Sequence, residues 1–157
     1  KMADAWLPSV KGYGTLRSNL DIPLSGFVGS SQVSDARVGG PGGQLAAIGG
    51  KRQIILLDLD NPWHPLLSLK FPGNWERVCL SWNYASGHRT KLASSNSRDA
   101  LLWDVDTMQE AATIINANRL PIVEMAWAPE QPFLIATCSA DPTINLFDTR
   151  ALDGNSG

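Results

Sequence analysis

Residues 91–106, KLASSNSRDALLWDVD, form a pattern that occurs again further along the chain. One further copy, FLIATCSADPTINLFDTR, covers residues 133–150, and a weaker copy, QLAAIGGKRQIILLDLD, covers residues 44–60. Each copy is an apolar run, a polar turn and a second apolar run that closes on an aspartate. The chain is therefore organised as a repeat, with three copies that can be aligned.

The spacing of two landmarks fixes the period of the repeat. Asp58, Asp104 and Asp148 close the copies at intervals of 46 and 44 residues, and Trp82 and Trp127 are 45 residues apart. A unit of roughly 40–45 residues that ends in a Trp-Asp pair is typical of a propeller blade. The period predicts an array of small β-sheets.

Within each unit the short-range pattern is that of strands. Leu92 and Ser94, and then Leu101 and Trp103, belong to brief strand-like runs bounded by polar turn residues. The third copy repeats this with Ile135, Thr137, Ile144 and Leu146. Residues 109–115 could be mistaken for a helix, but the repeat requires an outer strand there, at 111–115. We expect one four-stranded antiparallel blade per unit, with turns at 97–99 and 140–142.

This pattern resembles the WD-repeat family of β-propellers. The dipeptide that names the family stands at Trp103-Asp104, and apolar-Asp pairs replace it in the other copies, namely Leu57-Asp58 and Phe147-Asp148. The resemblance covers most of the chain, roughly residues 25–150. It implies an all-β fold of the WD40 type.

The resemblance also implies a buried hydrogen-bond network, in which a Ser two residues before a turn Asp binds the Trp and a His. Ser139 and Asp141 match this pattern in the third copy, and Ser95 matches in the second, where Ser97 replaces the Asp. No Gly-His pair opens either unit, and asparagines stand near that place, at Asn74 and Asn118. The networks are therefore expected to be incomplete.

A narrower resemblance is to the WD-repeat, RWD-domain and RING-domain subunit of the SEA/GATOR assembly. It rests on IILLDLDNP at residues 54–62, then Trp75, then Trp82-Asn83, then ASSN at 93–96. That resemblance implies partners that are further propeller or α-solenoid scaffold proteins. It also implies amino-acid signalling to the TOR kinase, and a cytoplasmic location, peripheral at the vacuolar or lysosomal membrane.

The repeat divides the chain into consecutive parts. These are an N-terminal arm (1–24), a divergent first blade (25–62), a connection (63–74) with an edge strand at 66–70, a second blade (75–120), a third blade (121–150) and a flexible tail (151–157). Propellers usually have about four to eight blades, so three units predict an open arc. We expect a fragment of a larger propeller or an arc that a partner completes, since uncovered edges promote aggregation.

Composition excludes several classes of partner. The formal net charge is −2, with 13 basic and 15 acidic residues, so no strong field favours binding to nucleic acid. No apolar run approaches the roughly 18 residues that span a bilayer. Cys79 and Cys138 lie in apolar strand runs, which is typical of reduced thiols in a cytosolic protein.

Motifs for catalysis or cofactors are not found. The glycine run at 39–43 fails the spacing of phosphate-binding loops and predicts a hairpin turn instead. His64 and His88 have no further ligand at metal-binding spacing. The aspartates recur at one repeat position, which favours turn formation over acid-base catalysis. We expect no metal, no cofactor and no enzymatic activity.

The function predicted from the sequence is that of a scaffold for protein-protein assembly. Candidate contact residues are loop aromatic and basic residues of the types enriched at binding hot spots, namely Trp63, Trp75, Arg77, Arg89 and Arg119. The alternative for the two tryptophans is packing between blades. Two other functions stay open, a peptide-recognising propeller adaptor of an enzyme complex and an enzymatic propeller with catalytic residues outside this sequence.

Overall fold

A computed structural model of the chain describes residues 35–50, 53–62, 64–70, 78–107 and 109–152. Within these ranges the chain forms eleven β-strands in three antiparallel sheets, followed by a 3-10 helix at Thr149–Ala151. The prediction of an all-β fold with three blades is confirmed. The predicted arm at 1–24, most of the tail and the start of the first blade lie outside the described residues.

Within each sheet, every strand pairs with the next one in the chain. The first sheet contains β1 (Asp35–Gly39), β2 (Leu45–Gly49), β3 (Gln53–Asp58) and β4 (Pro65–Lys70). The second contains β5 (Leu80–Trp82), β6 (Lys91–Asn96), β7 (Asp99–Asp104) and β8 (Gln109–Ile114). The third contains β9 (Ile122–Trp127), β10 (Leu134–Ser139) and β11 (Ile144–Asp148).

The register of the sheets shows that the sequence repeat is also a structural repeat. The three recurring aspartates all end the third strand of a sheet, where they lie opposite the first residue of the second strand. The pairs are Leu45 with Asp58, Lys91 with Asp104 and Leu134 with Asp148. Equivalent positions in the three sheets can therefore be compared residue by residue.

Two outer strands bear on the sequence predictions. Residues 109–114 form β8 rather than a helix, as the repeat requires. Residues 65–70 form β4, which pairs with β3, so this segment belongs to the first sheet rather than to the connection predicted at 63–74. Pro65 is tolerated because it is the first residue of an outer strand, where its missing N–H leaves no ladder hydrogen bond unmade.

The turns predicted in the first and second sheets are present. Gly40 and Gly43 have φ angles of 85° and 74°, which only glycine adopts readily, and the Gly43 N–H donates to the Gly40 carbonyl at 3.2 Å. In the second sheet Asn96 lies opposite Asp99, so a two-residue loop joins β6 and β7. The glycine run is therefore a hairpin turn and not a phosphate-binding loop.

The sheets stack face to face around their first strands. β5 contacts both β1 and β9, so the first strand of the second sheet lies between the first strands of the other two sheets. One apolar core fills the space between the first and second sheets and includes Ile54, Leu56, Leu92 and Trp103. A further core between the second and third sheets includes Ala93, Leu102, Ile122 and Ile135. The result is an open arc of three sheets.

The described part of the chain contains no α-helix. Its 3-10 helix spans three residues, and no helix in this part of the chain is long and apolar enough to cross a bilayer.

Candidate protein-interaction surfaces

The three recurring aspartates form the same turn. The carboxylate of each accepts the backbone N–H two residues later, at 2.9 Å for Asp58, 3.1 Å for Asp104 and 3.0 Å for Asp148. An Asp that bonds in this way holds the chain in an Asx turn. The sequence prediction that these aspartates form turns is confirmed.

Neighbouring cations keep two of these aspartates ionised. Burial by itself would raise the pKa of Asp104, but the Lys91 ammonium at 2.5 Å and the N–H of residue 106 together lower it. The Arg150 guanidinium bonds to the Asp148 carboxylate and lowers the pKa of Asp148 to about 2. Both carboxylates are paired structural groups, and neither is poised to accept a proton near neutral pH.

The tryptophan of the Trp-Asp pair binds a different serine from the one predicted. The Trp103 indole donates to the Ser94 hydroxyl at 2.8 Å, whereas the Ser95 hydroxyl accepts from the Cys79 N–H at 2.8 Å. Residues of a strand point alternately to opposite faces. Because Trp103 lies opposite Leu92 in the ladder, it shares a face with Ser94 and not with Ser95. The assignment of Ser95 as the tryptophan's partner was wrong.

In the third sheet Phe147 stands at the position of Trp103, and the hydrogen bonding changes accordingly. Thr137, at the position of Ser94, donates its hydroxyl to the side-chain oxygen of Asn118 at 2.5 Å. Both polar side chains are buried, with 2% of Asn118 exposed. An asparagine thus occupies the place where the resemblance implies a histidine. The other matched pair has a separate role, because Asp141 bonds to the Thr143 hydroxyl at 2.6 Å while Ser139 is buried.

The two landmark tryptophans join neighbouring sheets. Trp82 donates its indole N–H to the Arg37 carbonyl of the first sheet at 3.0 Å, and Trp127 donates to the Ser81 carbonyl of the second sheet at 3.2 Å. A methyl group at Gly39 would lie 2.3 Å from the Trp82 ring, so the close approach of this ring requires glycine there. Each sheet is bonded to the preceding one in the same way.

A charged bridge joins the first strands of the first and third sheets. Arg37 on β1 pairs with Asp35 at 3.2 Å and with Glu124 on β9 at 3.1 Å. Asp35 raises the pKa of Arg37 further above its ordinary value. All three side chains are at least partly exposed, so water screens the bridge and its contribution to stability is small.

The outward face of the third sheet is apolar and uncovered. Ile144 and Leu146 on β11 point away from the second sheet and are 72% and 64% exposed. In the described residues the edge of β11 opposite β10 pairs with no strand, whereas β3 and β7 each have a fourth strand beside them. This surface, formed by Ile144, Leu146 and the free edge of β11, is called the β11 face below.

The interaction residues predicted from the sequence fall into two groups. Arg89, in the loop between β5 and β6, and Arg119, in the loop between β8 and β9, are both exposed, as a contact role requires. Trp63, Trp75 and Arg77 lie outside the described residues. Sequence reasoning missed the exposed apolar residues of the β11 face, whose exposure depends on how the sheets stack.

A groove of about 260 Å³ lies between the second and third sheets, where Leu102 and Ala112 face Trp127 and Phe133. Its titratable side chains are His88, which packs edge-on against Phe133, and Lys91, which is paired with Asp104. The structure offers no pair of carboxylates in this groove. Among the described residues, no group of three or more His, Cys, Asp or Glu side chains could hold a metal ion.

Cys79 directly precedes β5 of the second sheet and Cys138 lies on β10 of the third, and neither is part of a disulfide. The Cys79 thiol is buried and donates to the Val123 carbonyl at 3.0 Å, which adds a further contact between the second and third sheets. Cys138, on β10, is half-buried. Their roles in the structure are those of small packing residues.

Comparison with known proteins finds several relatives. An RWD, RING finger and WD repeat-containing protein of Schizosaccharomyces pombe is 25% identical over 139 residues, which is 87% of this chain and 10% of that protein. The protein transport protein sec31 of Emericella nidulans is 33% identical over 112 residues, 68% of this chain and 8% of that protein. A WD repeat-containing protein of Dictyostelium discoideum is 25% identical over 137 residues, 87% of this chain and 7% of that protein.

The solved structures include a chain in the crystal structure of the mitotic checkpoint complex. It matches 78% of this chain with a TM-score of 0.65 and 20% sequence identity, over 35% of its own length. This likeness concerns the fold. No family model matches the chain. The chain spans about a tenth or less of the length of the curated relatives named above.

Proposed function

This chain belongs to the WD-repeat family, and we propose that it is a non-catalytic scaffold that joins protein subunits in a large assembly. The observation that carries the proposal is the β11 face. Two large apolar side chains and an unpaired strand edge on one surface are a liability unless another polypeptide covers them.

The equivalent positions in the second sheet indicate what covers this face. Ala100 and Leu102 stand where Ile144 and Leu146 stand in the third sheet, and they are 0% and 6% exposed because the third sheet packs on them. We infer that a further sheet of the same kind covers the β11 face. The stacked sheets then form a rigid body whose loops are free to contact other subunits.

The finer proposal is that the assembly is the SEA/GATOR assembly, which carries amino-acid status to the TOR kinase at the vacuolar or lysosomal membrane. It is supported by the sequence stretch at 54–62 and by a relative whose name combines the same three domain types, WD repeat, RWD and RING finger. The partners would be other propeller or α-solenoid scaffold proteins, and membrane association would occur through them.

A second candidate function has its own support. Several relatives are named protein transport protein sec31, with identities of 30–33%. These names favour a scaffold in protein transport. Both candidates predict the same fold and differ in the subunits that accompany the protein.

The β11 face is tested on this chain by itself. In light scattering at increasing concentration, we expect the unchanged chain to self-associate and the I144D/L146D variant to stay monomeric. The matched control, L59D/L66D, changes two exposed leucines, one just after β3 and one on β4, which are 45% and 52% exposed. It should self-associate like the unchanged chain. A chain that is monomeric without substitution would contradict the proposal.

The assembly is tested on the full-length protein, purified from its own cells with gentle extraction. We expect a particle several times heavier than the protein, and mass spectrometry of its subunits decides between the two candidates. Propeller and α-solenoid subunits of the nutrient-signalling assembly support the first, and transport proteins support the second. A monomer of the full-length protein would refute the scaffold function.

A further inference from the structure

We propose that two loops at one end of the second and third sheets form a docking site for an extended acidic protein segment that has an apolar residue at each end. The loops are residues 97–98, between β6 and β7, and residues 115–121, between β8 and β9. Together they are called the loop platform. It lies on a different surface from the β11 face and does not depend on the function proposed above.

Hydrogen bonds between the two loops and the first residues of the strands that follow them hold the platform in place. The Asn118 N–H donates to the Arg98 carbonyl at 3.2 Å, and the Ile122 N–H donates to the Ser97 carbonyl at 2.7 Å. The Asn116 N–H donates to the Asp99 carboxylate at 2.7 Å. These three bonds join the hairpin of the second sheet to the chain that enters the third.

Two buried residues anchor the longer loop from below. Ala117 and Asn118 are 3% and 2% exposed. The Ala117 carbonyl accepts from the Asn145 side chain at 2.6 Å, and the Asn118 side chain accepts from Thr137. A surface that is ordered before binding loses little conformational entropy when a partner docks.

The exposed residues of the platform are apolar and basic. Ile115 is 73% exposed and Leu120 is 44% exposed, and folding gives no reason for large apolar side chains in these loop positions. Arg98 and Arg119 are also exposed, and within the described part of the chain neither forms a salt bridge. Arginines beside exposed apolar residues are a composition typical of binding hot spots.

The acidic residues nearby are engaged with the protein itself. The Asp99 carboxylate caps the Asn116 N–H, and the Asp141 carboxylate bonds to Thr143. Asp141 attracts Arg119 only at a distance. The two guanidinium groups are therefore the charges that the platform presents to a partner, which favours an acidic one.

The course of the longer loop sets the length of the partner segment. Residues 115–121 run from β8, the outermost strand of the second sheet, to β9, the innermost strand of the third. Three strand spacings of about 4.8 Å give a path of about 14 Å, which an extended segment of about five residues spans. Residues one, three and five of such a segment face the same side, so the pattern that fits is apolar, any, acidic, any, apolar.

The proposal is tested by fluorescence anisotropy with the full-length protein and a fluorescein-labelled peptide, Gly-Leu-Ser-Glu-Ser-Leu-Gly. We expect saturable binding that weakens at least tenfold when the glutamate is replaced by glutamine or when both leucines are replaced by serine. Because these controls change only the peptide, they do not depend on the folding of any variant.

Variants of the protein locate the site. R98E and R119E should each weaken binding at least tenfold, while R89E, which changes an exposed arginine in the loop between β5 and β6, should leave it unchanged. I144D/L146D should also leave it unchanged, which separates this site from the β11 face. Equal weakening by R89E, equal binding of the glutamine peptide, or displacement of the peptide by millimolar inorganic phosphate would overturn the proposal, since each indicates a nonspecific or simple anion interaction.

Discussion

In the second sheet Ala100 and Leu102 are buried against the third sheet, whereas Ile144 and Leu146, at the same positions of the third sheet, are largely exposed. The two pairs belong to the same repeat and have the same apolar character. The difference lies in what covers them, because each sheet has one face turned to its predecessor and one turned to its successor. Apolar character at these positions thus marks a contact surface whether or not that contact is present.

The largest expected effect comes from changing one leucine to aspartate at equivalent positions of the second and third sheets. Leu102→Asp should lower the free energy of unfolding of the chain by about 4 kcal/mol or more, because it buries an unpaired carboxylate. Leu146→Asp, measured at a protein concentration low enough for the unchanged chain to be monomeric, should change it by no more than about 0.5 kcal/mol, because the new charge remains in water. Urea denaturation followed by tryptophan fluorescence measures both. Similar losses in the two variants would mean that the faces are not different in coverage.

A smaller effect is expected from the hydrogen bond that distinguishes the second sheet. Trp103→Phe should cost about 1–3 kcal/mol, since it removes ring volume and leaves the buried Ser94 hydroxyl without its donor. Ser94→Ala should cost about 1 kcal/mol, and the double variant should cost less than the sum of the two. Strictly additive effects would show that the bond contributes nothing.

Phe147 provides the control in the third sheet. It is only half-buried and occupies the position of Trp103, so Phe147→Leu should cost less than about 1.5 kcal/mol. The same measurement with Ser95→Ala separates the two serines. The free energy of unfolding lost in Ser95→Ala should be the same whether residue 103 is Trp or Phe, because Ser95 binds the Cys79 N–H on the opposite face of the sheet.

The smallest expected effect is on acid stability. The pKa of Asp148 is lowered to about 2 and that of Asp104 is also lowered, so each contributes stability above its unfolded pKa of about 3.8, and this is lost as the pH falls through the folded pKa. Between pH 4 and 2, D104N and D148N should therefore lose less stability than the unchanged chain. In 1 M salt the difference should disappear for the exposed Asp148 pair and persist in part for Asp104, which is more buried. Acid titration followed by circular dichroism measures this.

Much of the fold was predictable because it depends on local patterns. The period of two in the strands, the spacing of the aspartates and the glycine turn are each properties of a few consecutive residues, and the structure confirms the sheets and turns that they predict. The edge strand predicted at 66–70 was assigned to a connection at 63–74, a stretch with prolines at 65 and 72, and proline argues against a central strand. An outer strand that begins with proline satisfies the same physical rule.

The contacts between sheets were less predictable because they depend on which face a side chain occupies. Counting back from the turn selected Ser95, whereas ladder pairing shows that Ser94 shares the face of Trp103. The alternation of side chains along the strand, applied to the sequence, could have identified Ser94 as the partner of Trp103. No local pattern indicates that Leu102 is covered while Leu146 is exposed, since coverage depends on the neighbouring sheet.

The indole hydrogen bonds from Trp82 to the Arg37 carbonyl and from Trp127 to the Ser81 carbonyl follow the order of translation, because each acceptor is synthesised before its donor. Both donors reach back to a strand that the ribosome has already released, and neither has to wait for a strand still to be translated. Each of these two bonds can therefore form as soon as its tryptophan emerges. The protein is built so that synthesis and stacking advance in the same order.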